Sequence, residues 1–316
     1  MTNFADRLAE AVRRKGNPLC VGIDPRWESL PKSIREEFQL LPVSERGRGA
    51  GVSNNSPESA AKAFEAYSFR VLELVAPLAP VVKPQSAFFE LCGPPGLSAL
   101  QAVICRAREL GLIVILDSKR GDIASTAIAY ADAAFAGLQI GGRYYPIWNA
   151  DALTVNPYLG RDAVEPFITS ARSSGRGLFV LVRTSNAGSG LFQDLDCGGR
   201  KLYQHVAQAV SEWNSPGLGS CGLGDVGAVV GATHPAELAE LRKLMPNVWF
   251  LVPGYGAQGG TAKDVAAAFH PDGLGAIVNS SRGITFTFHP DEPNWEQAIV
   301  QATEKAVGEL GQLRRS

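Results

Sequence analysis

Asp117, Lys119 and Asp122 lie within one short run, Asp117-Ser118-Lys119-Arg120-Gly121-Asp122-Ile123, directly after the apolar stretch Leu112-Ile113-Val114-Ile115-Leu116. That stretch has the length and character of a buried strand. Side chains alternate along a strand, so Asp117 and Lys119 are expected on one face at its C-terminal end. Unit charges about 4 Å apart attract by roughly 4 kcal/mol at an effective dielectric near 20. Such a pair can keep a lysine protonated and aim it at a developing negative charge. A purely structural ion pair closing a strand would use the same residue types. The elements around the run decide between the two.

Short apolar runs recur along the chain at residues 19–23, 81–84, 112–117, 152–156, 178–183, 227–231, 249–253 and 276–279. Segments with apolar residues at three- and four-residue spacing separate them, at 56–75, 96–110, 122–136, 162–171, 201–213, 235–244 and 261–269, and a last one at 295–310 follows the eighth run. Eight strand–helix units predict a single-domain α/β fold, a (β/α)8 TIM barrel. A doubly wound sheet is the alternative, and it would not require eight units of such even spacing. Phe4, Leu8 and Val12 add an amphipathic N-terminal helix over residues 1–15, with no apolar run after it to suggest a signal peptide. Residues 44–57 and 215–225 are rich in Gly and Ser, lack an apolar period and are expected as flexible surface insertions.

Composition narrows the function. The chain has 316 residues, 45% hydrophobic and 19% charged, and a formal net charge of -1. That balance suits a globular enzyme and points to neither nucleic acid nor a membrane as partner. No apolar run is long enough to span a bilayer. Five cysteines without a Cys-x-x-Cys pair read as reduced thiols in the cytoplasm, and four scattered histidines form no metal-binding motif.

Barrel enzymes build their sites at the C-terminal ends of the strands. Those ends carry Asp24; Lys83; Asp117 and Lys119; Asn156; Arg183 and Ser185; Thr233; Pro253 and Gly254; and Asn279, Ser281 and Arg282. Ordinary loop polarity explains any one of them, but poorly explains two lysines and three aspartates at one mouth. The seventh end continues into Pro253-Gly254-Tyr255-Gly256-Ala257-Gln258-Gly259-Gly260. A glycine-rich loop there, with Arg282 after the eighth strand, favours a phosphate site, because glycine lets backbone N–H groups approach an anion. Arg282 can add a bidentate contact.

Here the chain resembles the longer bacterial (type 2) subfamily of the orotidine 5'-monophosphate decarboxylases, over residues 19–284. The resemblance rests on Asp-x-Lys-x-x-Asp-Ile followed by a threonine, met by Asp117, Lys119, Asp122, Ile123 and Thr126. Gly22-Ile23-Asp24, Val82-Lys83-Pro84 and Ser281-Arg282-Gly283-Ile284 support it. Ala124 stands where the family usually has proline. The resemblance implies a cofactor-free, metal-free decarboxylase that converts orotidine 5'-monophosphate (OMP) to UMP. It implies Lys119 as proton donor to C6, with Asp117, Lys83 and Asp122 completing a charged array. Asp122 and Thr126 would come from the partner subunit of a homodimer with shared sites. Asp24 would meet the ribose and Ser185 the pyrimidine, Gln258 and Arg282 would clamp the phosphate with Gln258 also reaching the base, and Pro253, Gly254 and Ser281 would bind substrate. Asn156 receives no role.

Three other readings use parts of this pattern. A Schiff-base aldolase needs a neutral lysine, which Lys119 between aspartates would not be. A metal-dependent phosphosugar lyase needs acidic ligands at the strand ends. An inactive phosphate-ligand binder would have little reason to keep Lys83, Asp117, Lys119 and Asp122 together.

Overall fold

The computed structural model describes residues 2–38, 55–233, 235–256 and 259–314. Among them, eight parallel strands close a barrel: β1 (Leu19–Ile23), β2 (Val81–Pro84), β3 (Ile113–Arg120), β6 (Ala152–Val155), β7 (Gly177–Arg183), β8 (Val226–Val230), β9 (Phe250–Val252) and β10 (Ala276–Ser280). β10 pairs with β1, so the ring has no free edge. Helices cover the outside, among them Pro57–Val75, Gly93–Glu109, Leu202–Asn214 and Trp295–Gly311.

Two apolar clusters explain why the runs are continuous. Alternate residues Val21, Val82, Val114, Leu153, Val180 and Val278 pack outward against the helices. Their neighbours Cys20, Val81, Ile113, Ile115, Phe179, Val229, Trp249, Leu251 and Ile277 fill the barrel. A strand buried on both faces has no polar side to show.

The N-terminal helix Phe4–Lys15 stops one end of the barrel. Phe4, Leu8 and Val12 are all buried there, as their spacing predicts. Gly177 makes room for this plug, since a Cβ on it would sit 2.1 Å from the Phe4 ring. Residues 215–225 are less free than their composition suggests. Backbone N–H groups of Ser220 and Cys221 donate to the Asp6 carboxylate, and Arg172 pairs with Asp225 at 2.9 Å. With this end plugged, the opposite, C-terminal mouth is left for the site.

The strands not anticipated are β4 (Leu138–Ile140) and β5 (Arg143–Tyr145), an antiparallel hairpin outside the barrel. Its Gly141-Gly142 turn has φ of 57 and 78, the left-handed pair that a tight hairpin requires. Of the insertion expected at 44–57, residues 44–54 lie outside the described residues. Ser56 caps the following helix by accepting from the Ser59 N–H, and Pro57 is its first residue.

Candidate active site

Inward-facing positions turn from apolar to charged near the C-terminal mouth. Lys83 on β2 and Asp117 on β3 meet at 2.6 Å, with side chains only 7% exposed. Lys119 Nζ reaches the other Asp117 oxygen at 2.7 Å, and its side chain is 46% exposed. Asp117 thus joins two ammonium groups, one sealed and one open to a ligand. The open one lines a cavity at the mouth.

Burial pushes the Asp117 carboxyl up, but the charges of Lys83 and then Lys119 outweigh it and hold it well below the usual carboxylate range. Burial pushes Lys83 down, yet Asp117 and Asp24 raise it on balance. Both partners are therefore charged at neutral pH. Beneath them Cys20 is sealed and its thiol is pushed up to about 12, chiefly by burial. It is no nucleophile at neutral pH.

β3 reaches Lys119 by an irregular route. Its pairing with β6 jumps from Leu116–Leu153 to Arg120–Val155, and Lys119 has φ of 47. A left-handed residue with a side chain costs of order 1–3 kcal/mol and persists only when its surroundings impose it. Thr154 on β6 imposes it here. Its hydroxyl oxygen accepts from the backbone N–H groups of Ser118 (3.1 Å) and Lys119 (2.9 Å), and donates to Asp117 Oδ1 at 2.9 Å.

A cavity of about 430 Å³ opens above the pair, lined by Lys83, Asp117, Lys119, Thr154, Thr184, Ser185, Asn186, Gln193, Pro253 and Asn279, with apolar Leu181, Val229 and Leu251. Ser185 and Pro253 thus both line this cavity. At the same mouth Ser281 donates to Asp24 Oδ2 at 2.5 Å, while Asp24 Oδ1 is enclosed and accepts nothing from any described residue. Gly22 permits this approach, because a Cβ there would lie 2.6 Å from Ser281 Cβ. Gly254 (φ 102), Gly256 (φ 74) and Gly259 (φ 90) bend the loop after β9. Gln258 lies outside the described residues. Arg282 is exposed at the start of the short helix Arg282–Thr285.

Of the predicted residues, Asp24, Gly254, Ser281 and Arg282 do not line this cavity, and neither do Asp122 and Thr126. Asp122 accepts from the Ile123 N–H, and Thr126 is exposed on the helix Ala124–Ala134. Asn156 is used locally: its side chain accepts from the Tyr158 N–H at 3.0 Å and shapes the turn after β6.

Thr154 and Gln193 are the polar lining residues that lie outside the strand ends. Thr154 carried a signal, a hydroxyl at an inward position of a buried run. Gln193 carried none, since it returns to the mouth from the short helix Gly190–Gln193 within a long excursion after β7. That excursion is tied down from below. Buried Arg183 pairs with Glu237 at 2.6 Å and Asp194 at 3.2 Å, and Gln193 accepts from the Thr184 N–H at 3.0 Å.

Among the described residues, no cluster of three or more His, Cys, Asp or Glu side chains could hold a metal ion, and no helix is long and apolar enough to cross a membrane.

Comparison with known proteins gives consistent matches. The model of the orotidine 5'-phosphate decarboxylase / HUMPS family matches residues 17–293. An orotidine 5'-phosphate decarboxylase of Rhodopirellula baltica is 48% identical over 310 residues, covering 96% of this chain and 97% of that one. One of Deinococcus radiodurans is 39% identical, covering 98% of each. The solved Leishmania donovani OMP decarboxylase superposes with a TM-score of 0.73 at 34% identity, over 100% of both chains.

Proposed function

The chain belongs to the orotidine 5'-phosphate decarboxylase family, and from that premise we propose that it converts OMP to UMP and CO2 in pyrimidine biosynthesis at the Lys83–Asp117–Lys119 site. The observation that carries the assignment of residues is this ion-paired chain, sealed at Lys83 and open at Lys119, beneath a cavity of about 430 Å³.

In the reaction the C6–CO2 bond breaks and its electron pair stays on C6. The Lys119 ammonium stabilises that charge and then delivers a proton to it. Asp117 holds the Lys119 ammonium in place at 2.7 Å, and Lys83 holds Asp117 from the far side. Nothing must reorganise as charge develops, because the groups are fixed by their mutual bonds. The ribose supplies a hydroxyl to the unpartnered Asp24 Oδ1, satisfying an acceptor whose isolation costs about 1–3 kcal/mol. Ser185 faces the pyrimidine. Pro253, Gly254, Gln258, Ser281 and Arg282 receive the phosphate side, whose binding energy serves the distant chemistry.

Asp122 and Thr126 serve the site of a second copy. The helix after them and the β4–β5 hairpin support this reading: Ile123, Ile128, Leu138, Ile140, Tyr144 and Tyr145 are 47–61% exposed. Ile128, Leu138 and Tyr144 also border an apolar groove of about 1030 Å³. Apolar patches of this kind mark protein contacts. A homodimer joined there buries the groove and brings each Asp122 toward the partner's mouth. The biosynthetic role and five free thiols suit the cytoplasm.

The test is the absorbance of OMP with purified protein in excess EDTA. Loss of the orotate chromophore with UMP as product is expected. No conversion by folded protein, restored by a divalent ion, would instead establish metal-dependent chemistry.

A further inference from the structure

We infer that Thr154 is a positioning residue that sets where the Lys119 ammonium stands; this rests on the decarboxylase reading above. Thr154 is 1% exposed, so no solvent competes for its hydroxyl. A hydroxyl has two acceptor lone pairs and one proton. Here both lone pairs are taken, by the N–H groups of Ser118 and Lys119, and the proton goes to Asp117 Oδ1. One side chain therefore fixes the backbone that carries Lys119 and the carboxylate that holds its ammonium.

The two functions converge on the same atom. Asp117 Oδ1, which accepts the Thr154 hydroxyl, also accepts Lys119 Nζ at 2.7 Å, and Oδ2 is left to Lys83 at 2.6 Å. Removing the hydroxyl frees Asp117 to rotate and leaves two N–H groups without their acceptor at the left-handed turn, φ 47. The turn then relaxes toward ordinary strand geometry, and Lys119 swings with it. The ribose and phosphate contacts proposed above use other residues and should stay as they were. The loss should fall on kcat and spare ligand binding.

Thr154→Val keeps the shape of the side chain and removes the hydroxyl. The experiment measures kcat and KM for OMP, and the Kd of UMP, in the parent, Thr154→Val and Thr154→Ser. The valine variant is expected to lose about 10- to 100-fold in kcat, the scale of a displaced catalytic group. Its UMP Kd should stay within about threefold, and serine should restore kcat to within about threefold of the parent. Should valine prevent folding, Thr154→Ala takes its place with the same expectation. Unchanged kcat in the hydroxyl-less variant would overturn the inference. So would a parallel decline of kcat and UMP binding that serine fails to rescue. The parent separates the two claims: a parent inactive on OMP refutes the decarboxylase reading. An active parent beside an equally active valine variant refutes only the role of Thr154.

Discussion

Lys119→Ala is expected to lower kcat for OMP by at least about 10⁴-fold, while UMP binding weakens by less than about tenfold. Two losses combine. Delivery of a proton by a placed acid contributes about 10²–10⁴. Fixed positive charge beside the developing anion contributes about another 10²–10³. Neither touches the ribose or phosphate contacts, so product affinity survives. The variant should fold, because the Lys119 side chain is 46% exposed and Asp117 keeps Lys83 as partner. Single-turnover rates and UMP titration measure the split. Turnover within about tenfold of the parent would remove Lys119 from the mechanism.

Asp117→Ala should damage both stability and activity. It strands the Lys83 ammonium, 7% exposed, without its counter-charge. Breaking a buried pair from one side costs about 3–5 kcal/mol, read as a shift in the denaturation midpoint. Removing both charges, as in Lys83→Met with Asp117→Leu, should recover most of that stability but no turnover, since Lys119 then loses its Asp117 partner. The pH dependence follows from the same pair. Asp117 titrates below its ordinary value in the fold, so its contribution is full at neutral pH. It is lost as pH falls through the depressed value. Asp117→Asn should therefore flatten the acid limb of the stability curve below about pH 4. An unchanged acid limb would mean that the pair adds nothing to the fold.

The barrel was legible because strands buried on both faces leave unmistakable apolar runs. β1 and β2 begin and end where those runs do. β3 is longer than its run: residues 112–117 mark the apolar part, but the strand continues through Lys119 to Arg120 by irregular pairing. Alternation rightly put Asp117 and Lys119 together, yet it could not show the left-handed turn, which depends on a hydroxyl from another strand. The β4–β5 hairpin went unseen because three-residue strands carry no measurable period, although Gly141-Gly142 announced its turn. Short helices such as Ser86–Glu90 and Gly190–Gln193 lack a full amphipathic repeat for the same reason. Asp122 is the reverse case. The family resemblance assigned it to the array of a partner subunit, and in the single chain it does not line its own cavity. The proposed second copy would reconcile the two.

Mixing two inactive variants tests that shared site most directly. Lys119→Ala and Asp122→Ala each lack one member of every site. Equal amounts, allowed to exchange subunits, give hybrids in which one of the two sites holds both intact residues. A two-fold symmetric dimer with random exchange then recovers about a quarter of parental OMP turnover. Hybrids verified by differential tags but still inactive would contradict a site shared between two copies of this chain.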